Sequence, residues 1–144
     1  MDEIKQVAAL PVRKGTDGQF EVLLVTSRET GRWVIPKGWP SRRLSDRDAA
    51  AREARQEAGV VGTIKSRPIG TYRYRKVEPA GTRLLDVTVF LLKVEKEMKR
   101  WSEQDQRRRT WFKADAAARR VREPSLQKLI RELFEKPAKP SKTA

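Results

Sequence analysis

Apolar positions in the first part of the chain fall into short runs of extended type, separated by turn residues. The runs at 6–13 and 20–26 flank the turn cluster 14–18, and this arrangement predicts two strands joined as a hairpin. Pro11 predicts an irregularity or an edge position near the end of the first strand, because proline has no backbone N–H to donate. A third, short strand is predicted at 32–35.

The middle of the chain carries one clear helix followed by extended segments. Ser45 is a suitable N-cap, Gly59 is a suitable left-handed stop, and the alanine-rich segment between them favours helix. Extended structure is predicted within 62–75, before a turn at 77–81. The apolar run at 84–94 is the strongest in the chain and predicts a central strand of the sheet.

The last part of the chain predicts a short strand at 109–112, a short helix at 115–121 and a longer helix at 125–134. Apolar residues of the longer helix recur at helical spacing, which predicts one face packed on a sheet; they are Leu126, Leu129, Ile130, Leu133 and Phe134. Residues 137–144 hold prolines and lysines and are predicted to be a disordered basic tail. The order of strands and helices predicts an α/β fold, a helix-covered sheet in a single domain over 1–136.

The residue types that the chain lacks restrict its chemistry. Its 144 residues include no cysteine and no histidine, which excludes disulfides, thiolate nucleophiles and imidazole bases, and leaves carboxylates and oxygen ligands. No apolar run reaches the ~18 residues of a membrane span, and the N-terminus does not resemble a signal peptide. We expect a cytoplasmic protein with no membrane partner, either a monomer or a homodimer.

Charge is the most unusual property of the composition. The formal net charge is +14 and the pI is ≈ 10.6. Such an excess of positive charge favours an anionic partner, which a polyphosphorylated small molecule, RNA or a membrane surface would each provide. The alternative is charge that serves solubility alone.

Two carboxylates on the predicted helix suit a metal site. Glu53 and Glu57 are four residues apart, so both leave the same face of the helix, one turn apart. Two oxygen ligands on a rigid face suit Mg²⁺ or Mn²⁺, because Mg²⁺ takes its remaining ligands from water and substrate phosphates. Gln56 lies beside them and offers a carbonyl oxygen as a further ligand. The alternative is an exposed helix surface with solvated charges.

The spacing around this pair resembles the Nudix box. The match has no gap and consists of Gly38, Arg52-Glu53, Glu57 and Gly59-Val60. Within it, Gly38, Arg52 and Gly59 correspond to structural positions of the motif. The resemblance implies the Nudix α/β/α sandwich, in which a mixed β-sheet lies between the box helix and a C-terminal helix. It also implies hydrolysis of a diphosphate linkage by metal-activated water.

Two positions depart from the box. Its first glutamate is replaced by Leu44, and the first of its paired glutamates is replaced by Gln56. Fewer ligand charges weaken metal binding, so the substitution Gln56→Glu is expected to strengthen it. The departures leave open a degenerate Nudix domain that binds an anionic ligand or RNA without hydrolysis.

Position and residue type provide candidates for the remaining roles, because the general base differs among Nudix subfamilies. The general base would be a carboxylate or a hydroxide held by the metal, because histidine is absent; Glu57 is a candidate by position, and Glu103 is another. Basic residues suit bidentate or point contacts with phosphate. The candidates for binding substrate phosphates are Lys37, Arg28, Arg32, Arg13 and Arg73, followed by Arg75 and Arg109.

Three stretches resemble the diphosphoinositol polyphosphate phosphohydrolase group, which also cleaves diadenosine polyphosphates; they are 21–28 with 32–36, 58–64, and 109–113 with 115–116. The pair Lys37-Gly38 is a form seen in dinucleoside tetraphosphate hydrolases. The predicted substrate is a dinucleoside polyphosphate or a diphosphoinositol polyphosphate. The alternative enzyme is an RNA 5′-pyrophosphohydrolase, with Tyr72, Tyr74 and four tryptophans available to stack bases. All four tryptophans fall in or near predicted core elements, so core packing is their expected role.

Overall fold

The computed structural model describes residues 4–134 of the chain. These residues form eight strands and three helices, with the bounds β1 Ile4–Lys14, β2 Phe20–Thr26, β3 Trp33–Val34, β4 Lys37–Gly38, α1 Asp46–Ala58, β5 Val60–Ile64, β6 Gly70–Glu78, β7 Gly81–Glu97, β8 Arg109–Lys113, α2 Ala114–Arg120 and α3 Pro124–Phe134. The predicted tail at 137–144 lies outside the described residues. Its disorder and the domain limits at 1–136 therefore stay predictions.

The eight strands of the described residues join one mixed sheet. Its main path runs β3-β2-β1-β7-β5, with β4 paired to β1, β6 to β7 and β8 to β2. Strands β1 and β7 run parallel, with Ile4 beside Leu85 and Val12 beside Lys93, whereas the other paired strands are antiparallel. The apolar run predicted to be central lies in β7, which pairs with β1, β5 and β6, so that prediction is confirmed.

Helices cover both faces of the sheet, and this explains the unbroken apolar runs. Successive side chains of a strand point to opposite faces. In β1, Val7 and Ala9 share a cluster with the alanines of α1, whereas Ala8 and Leu10 share one with buried residues of α2 and α3. The α/β/α sandwich that the sequence implies is confirmed.

The first two strands form the predicted hairpin, in which Val12 lies opposite Val22. Pro11 lies in the interior of the sheet, beside Leu92 of β7, so its predicted edge position is wrong. On the other side of β1, the antiparallel partner changes from β4 at Ala8 to β2 at Val12. Pro11 lies in the gap between these partners, and the predicted irregularity is present there.

Two strand boundaries differ from the predicted ones. The segment 62–75 holds parts of two strands, because β5 begins at Val60, directly after the helix stop, and β6 begins at Gly70. Strand β7 extends past the predicted end at 94, since Glu97 pairs with Val60. Pairing with β5 brings the polar residues 95–97 into the sheet. Their side chains alone do not predict a strand.

The ends of α1 follow the predicted caps. The hydroxyl of Ser45 accepts a hydrogen bond from the backbone N–H of Asp48 at 3.2 Å, and Gly59 ends the helix with a φ of 66°. On α3, Leu126 and Ile130 are buried, and the rest of the predicted stripe packs against the same cluster. No helix among the described residues is long and apolar enough to span a lipid bilayer.

Candidate active site

The two glutamates of α1 lie beside its buried alanine face, next to β4. Four alanines turn α1 onto the sheet; they are Ala49, Ala50, Ala54 and Ala58. Glu57 is buried with them, at 6% exposure, and its Oε1 accepts a hydrogen bond from the backbone N–H of Lys37 at 3.3 Å. Glu53, one turn earlier, is partly exposed. The helix therefore presents both carboxylates to the same strand.

Gly38 leaves room for the carboxylate of Glu53. A Cβ at residue 38 would lie 2.4 Å from Cδ of Glu53 and 2.5 Å from its Oε2. Any side chain would push the carboxylate away. The structural role that the box resemblance implies for Gly38 thus has a physical reason in this chain.

The loop between β7 and β8 is held against the C-terminal end of α1. The indole Nε1 of Trp101 donates to the carbonyl of Glu57 at 3.0 Å, and the backbone N–H of Glu103 donates to the carbonyl of Gln56 at 3.0 Å. The indole ring covers Gly59, where a Cβ would lie 2.6 Å from it. These contacts bring Glu103 to the side of the helix that carries Glu57.

Arg107 connects the two carboxylates across this junction. Its Nε donates to Oε1 of Glu103 at 2.6 Å, its Nη2 lies 3.7 Å from Oε2 of Glu57, and its Nη1 donates to the carbonyl of Thr26 at 3.1 Å. The side chain is only 10% exposed. Arg107 was not predicted from the sequence, because it is the first of three consecutive arginines and no local pattern separates it from the other two.

These side chains line one open cavity of ≈ 470 Å³, within the usual size range of ligand pockets. Eight of the residues predicted to contribute to the metal site, the motif or phosphate binding line this cavity. They are Glu53, Glu57, Glu103, Lys37, Gly38, Arg28, Arg32 and Arg75. The cavity also receives further cations, which are Lys76, Arg107 and Arg122. Carboxylates and a surplus of cations therefore face the same space, as a site for a metal and an anionic ligand requires.

Two of the cavity arginines are anchored by neighbouring side chains. Nη2 of Arg32 lies 3.0 Å from Oε2 of Glu123, a buried carboxylate, and Nη1 of Arg28 donates to Oε1 of Gln106 at 3.0 Å. Lys37 lies with its Nζ 5.2 Å from the centre of the Tyr74 ring. Their positions are thus fixed before any ligand arrives.

Burial opposes charge on the groups at the centre of the cavity. It raises the pKa of Glu57 to about 8, against the attraction of Arg107, which favours the ionised form. It raises the pKa of Glu53 as well, against a hydrogen bond with Glu57. Burial lowers the pKa of Lys37, and the nearby Glu57 partly offsets this effect.

The rim of the cavity is different in character from its centre. Trp39 lines it with 47% of its surface exposed, and Val77 lines it with 81% exposed. The prediction that all four tryptophans serve core packing is wrong for Trp39. It follows Gly38 directly, in a segment where the chain has left the sheet.

Two arginines predicted to bind phosphate lie elsewhere. Arg13 pairs through its Nε with Glu21 at 2.7 Å, and its guanidinium lies 4.1 Å from the centre of the Trp111 ring. Arg73 is exposed on β6, and its backbone N–H donates to the hydroxyl of Ser125 at 3.3 Å. Neither residue lines the cavity. Position along a strand does not reveal which sheet face or end a side chain occupies, so the sequence could not separate them from Arg32.

The remaining box residues lie outside the cavity lining. Gln56, predicted as a further metal ligand, and Arg52 are exposed on α1, and neither lines the cavity. Leu44 is partly buried and packs against the cluster between α1 and the sheet. An apolar residue at this position therefore contributes to the core, which explains how the fold accommodates the loss of the box glutamate.

Arg109, a further phosphate candidate, caps α1 instead. Its Nη1 donates to the carbonyls of Ala58 and Gly59 at 2.8 and 3.3 Å, and its Nη2 donates to that of Met98 at 2.9 Å. The guanidinium also lies 3.9 Å from the centre of the Trp101 ring. These bonds satisfy carbonyls that a helix end leaves without partners.

The donor set fits a hard divalent cation. Glu53 and Glu57 supply carboxylate oxygens at one wall of the cavity, and no sulfur or imidazole ligand competes. Among the described residues, no group of three or more carboxylates is arranged to hold a metal by itself. Water and phosphate oxygens would have to complete the shell, which is how Mg²⁺ is commonly bound.

Comparison with known proteins gives one family. The family model described as NUDIX domain matches residues 4–133. Nudix hydrolase 18, mitochondrial, of Arabidopsis thaliana is 35% identical over 99 residues, which are 69% of this chain and 54% of that protein. Diphosphoinositol polyphosphate phosphohydrolase 3-alpha of Mus musculus is 33% identical over 116 residues, 78% of this chain and 66% of that protein. The chain thus spans about half to two thirds of the length of these relatives.

Solved structures support the same architecture. The crystal structure of C. elegans Ap4A hydrolase superposes with a TM-score of 0.65 at 18% identity, over 92% of this chain and 96% of that one. The NUDIX domain of Shewanella oneidensis NrtR, crystallised with ADP ribose, gives a TM-score of 0.63 at 17% identity, over 92% and 89%. At these identities the likeness establishes the fold.

Proposed function

Because the chain belongs to the Nudix family, we propose that it hydrolyses a diphosphate linkage in a highly anionic small molecule, either a dinucleoside polyphosphate or a diphosphoinositol polyphosphate. The observation that carries the proposal is the cavity in which Glu53 and Glu57 face Lys37, Arg28 and Arg32. A polyphosphate requires both features, a metal site at the reacting phosphate and cations for the other phosphates. The net charge of +14 also favours a ligand with many negative charges.

Glu53 and Glu57 would hold the metal, Mg²⁺ or Mn²⁺, in this proposal. A divalent cation there supplies charge neutralisation of the phosphoryl oxygens and activation of the attacking water. The buried alanine face fixes the helix, and Gly38 lets the Glu53 carboxylate lie against the chain. The two carboxylates are therefore held at a set spacing before the metal binds.

The cations of the cavity would orient the polyphosphate. Arg32 is anchored by Glu123 and Arg28 by Gln106, so each guanidinium can meet a phosphate without losing much side-chain freedom. The backbone N–H of Lys37 donates to Glu57, and its ammonium group interacts electrostatically with the same carboxylate. Together they favour binding with the reacting linkage at the carboxylates and the remaining phosphates along the arginines.

Glu57 and Glu103 remain the candidates for accepting the proton of the attacking water. Arg107 contacts both, so it neutralises part of their mutual repulsion and fixes the side chain of Glu103. If both glutamates of α1 are used as metal ligands, Glu103 is the remaining candidate for the base, because it lines the same cavity and comes from the loop rather than from the helix.

The positions of Leu44 and Gln56 favour hydrolysis over a binding-only domain. Leu44 belongs to the core and Gln56 is exposed outside the cavity lining. Neither departure from the box removes a group from the cavity, whose carboxylates are intact. The location of the protein stays a prediction, and several of its relatives are named as mitochondrial Nudix hydrolases.

The test is product release from a panel of substrates with and without Mg²⁺ or Mn²⁺. The panel holds diadenosine polyphosphates, diphosphoinositol polyphosphates, nucleoside triphosphates, nucleotide sugars and 5′-triphosphate RNA. We expect metal-dependent cleavage of the first or second class, and a loss of at least about 100-fold for Glu57→Gln because a metal-site carboxylate is removed. Gln56→Ala is the matched variant on the same helix and should retain activity. Tight binding without turnover on any substrate would overturn the proposal in favour of a binding domain.

A further inference from the structure

The cavity has an apolar rim that the hydrolysis of a diphosphate does not require. Four large hydrophobic residues are exposed among the described residues, and two of them, Trp39 and Val77, line this cavity. The other two, Phe20 and Leu84, do not. An indole that leaves 47% of its surface in water contributes much less to the core than a buried one would. Because Trp39 lines a binding cavity, its exposed indole is available to contact a ligand.

The indole of Trp39 is held in place from one side. The guanidinium of Arg83 lies 5.9 Å from the centre of its ring, close enough for a cation–π contact. Arg83 is itself paired with Glu78: its Nη2 donates to Oε2 at 3.0 Å, and its Nε lies 2.7 Å from Oε1. Tryptophan loses little freedom on binding because it has only two side-chain torsions, and this anchor reduces the loss further.

The cavity is thus divided between two kinds of chemistry. Carboxylates and cations form much of its lining, and an exposed aromatic ring and an exposed aliphatic side chain line it as well. A ligand that fits both parts has a chain of phosphates joined to a flat apolar group. Nucleotides have this form. An inositol polyphosphate does not, since its ring is saturated and carries phosphates around its whole edge, with no face that would stack on an indole.

We propose that Trp39, supported by Val77, is a nucleobase platform that makes the protein selective for dinucleoside polyphosphates over diphosphoinositol polyphosphates. The inference rests on the proposed function for the location of the site, and it adds the substrate class and the residue that selects it. Hydrolysis and base stacking use different residues, so each can fail without the other.

The experiment is a calorimetric titration of the full chain with two ligands that it cannot cleave. One is diadenosine tetraphosphate with methylene groups in place of the bridging oxygens, and the other is inositol hexakisphosphate, which has no diphosphate bond. Both are titrated into the wild type, Trp39→Ala, Trp39→Phe and Phe20→Ala. Phe20 is the matched control because it is an aromatic residue of similar exposure, 46%, outside the cavity.

We expect Trp39→Ala to weaken the dinucleotide about tenfold, the scale of one lost stacking contact. Binding of inositol hexakisphosphate should not change. Trp39→Phe should keep most of the affinity, because phenylalanine also stacks, and Phe20→Ala should change neither ligand. Differential selectivity of this kind would not follow from a purely structural role for Trp39.

Four results would overturn the inference. Equal weakening of both ligands by Trp39→Ala would show a structural role, and no weakening of either would show that the base lies elsewhere. Tighter binding of inositol hexakisphosphate than of the dinucleotide by the wild type would assign the other substrate class. A 5′-triphosphate RNA oligonucleotide that binds tighter than the dinucleotide would replace the small molecule with RNA. A stacking effect without hydrolysis of any substrate would leave this inference standing and remove the proposed function.

Discussion

Glu57 lies where burial and attraction act on its charge in opposite directions. Burial raises its pKa from an ordinary value of 4.5 to about 8, although Arg107 and Lys37 favour the ionised form. The folded chain without metal therefore keeps a proton on Glu57 at a pH where the unfolded chain has lost it. A bound cation would remove this conflict by stabilising the carboxylate, which is the state that metal binding requires.

This conflict predicts how stability depends on pH in the absence of metal. In EDTA, the free energy of unfolding should fall as pH rises from about 5 to 8, because the folded state binds more protons over that window. Glu57→Gln removes this contribution, so its decline should be shallower than that of the wild type. Urea unfolding at several pH values measures both. Parallel curves for the two proteins would contradict the raised pKa.

Gly38 provides a second prediction at the scale of one side chain. Gly38→Ala places a Cβ 2.4 Å from the carboxyl carbon of Glu53, and the flexible end of that side chain has to move. We expect the fold to persist and the Mg²⁺ concentration for half-maximal activity to rise several-fold, because a displaced ligand binds the metal less well.

Gly59→Ala is the comparison for Gly38→Ala. Its φ of 66° disfavours a side chain, and its Cβ would meet the Trp101 ring, so the melting temperature should fall. An unchanged metal requirement in Gly38→Ala, measured by metal titration of activity, would separate Gly38 from the site.

The sequence predicts which carboxylates share one face, but it does not predict which cations line the cavity. Glu53 and Glu57 were predictable because helical spacing fixes which face they share. Arg13, Arg32, Arg73 and Arg107 are chemically identical, and only the folded chain separates those that face the cavity from those that do not. The same holds for Trp39, whose exposure depends on where the chain leaves the sheet.

At the scale of elements, the site depends on the C-terminal end of α1, where the loop between β7 and β8 is bound. Its carbonyls receive bonds from Trp101, Arg109 and the backbone N–H of Glu103. The helix itself was predictable from Ser45 and Gly59. The loop that docks on it was not, because its place is set by bonds to a helix end more than 40 residues earlier in the chain.

Arg109→Gln tests the contribution of Arg109 to the contacts at the C-terminal end of α1. The variant loses charged donors to the carbonyls of Ala58, Gly59 and Met98, and we expect it to lower the free energy of unfolding by about 2 kcal/mol. Arg55→Gln is the control, since Arg55 is exposed in the last turn of the same helix and surface changes have small effects. Urea unfolding measures both. An equal decrease in the free energy of unfolding of the two variants would show that Arg109 does not stabilise the C-terminal end of α1.

For the whole molecule, the net charge of +14 predicts salt-dependent binding of a polyphosphate. Salt screens exposed charges, with a screening length of about 10 Å at 0.1 M. The KM for the best substrate of the panel should therefore rise between 50 and 300 mM KCl, whereas kcat should change little. The melting temperature over the same range is the control for loss of structure. A KM that does not depend on salt would remove the electrostatic argument.

The parallel pairing of β1 with β7 also affects how the chain is made. Ile4 lies beside Leu85, so the first strand cannot complete its pairing until the ribosome has released most of the chain. At roughly 5–20 residues per second, the interval is on the order of ten seconds. During it the apolar residues of β1 lack their main neighbour, and contacts between distant segments slow folding further. Biosynthesis of this protein therefore passes through a stage in which β1 exposes apolar residues that the folded protein buries.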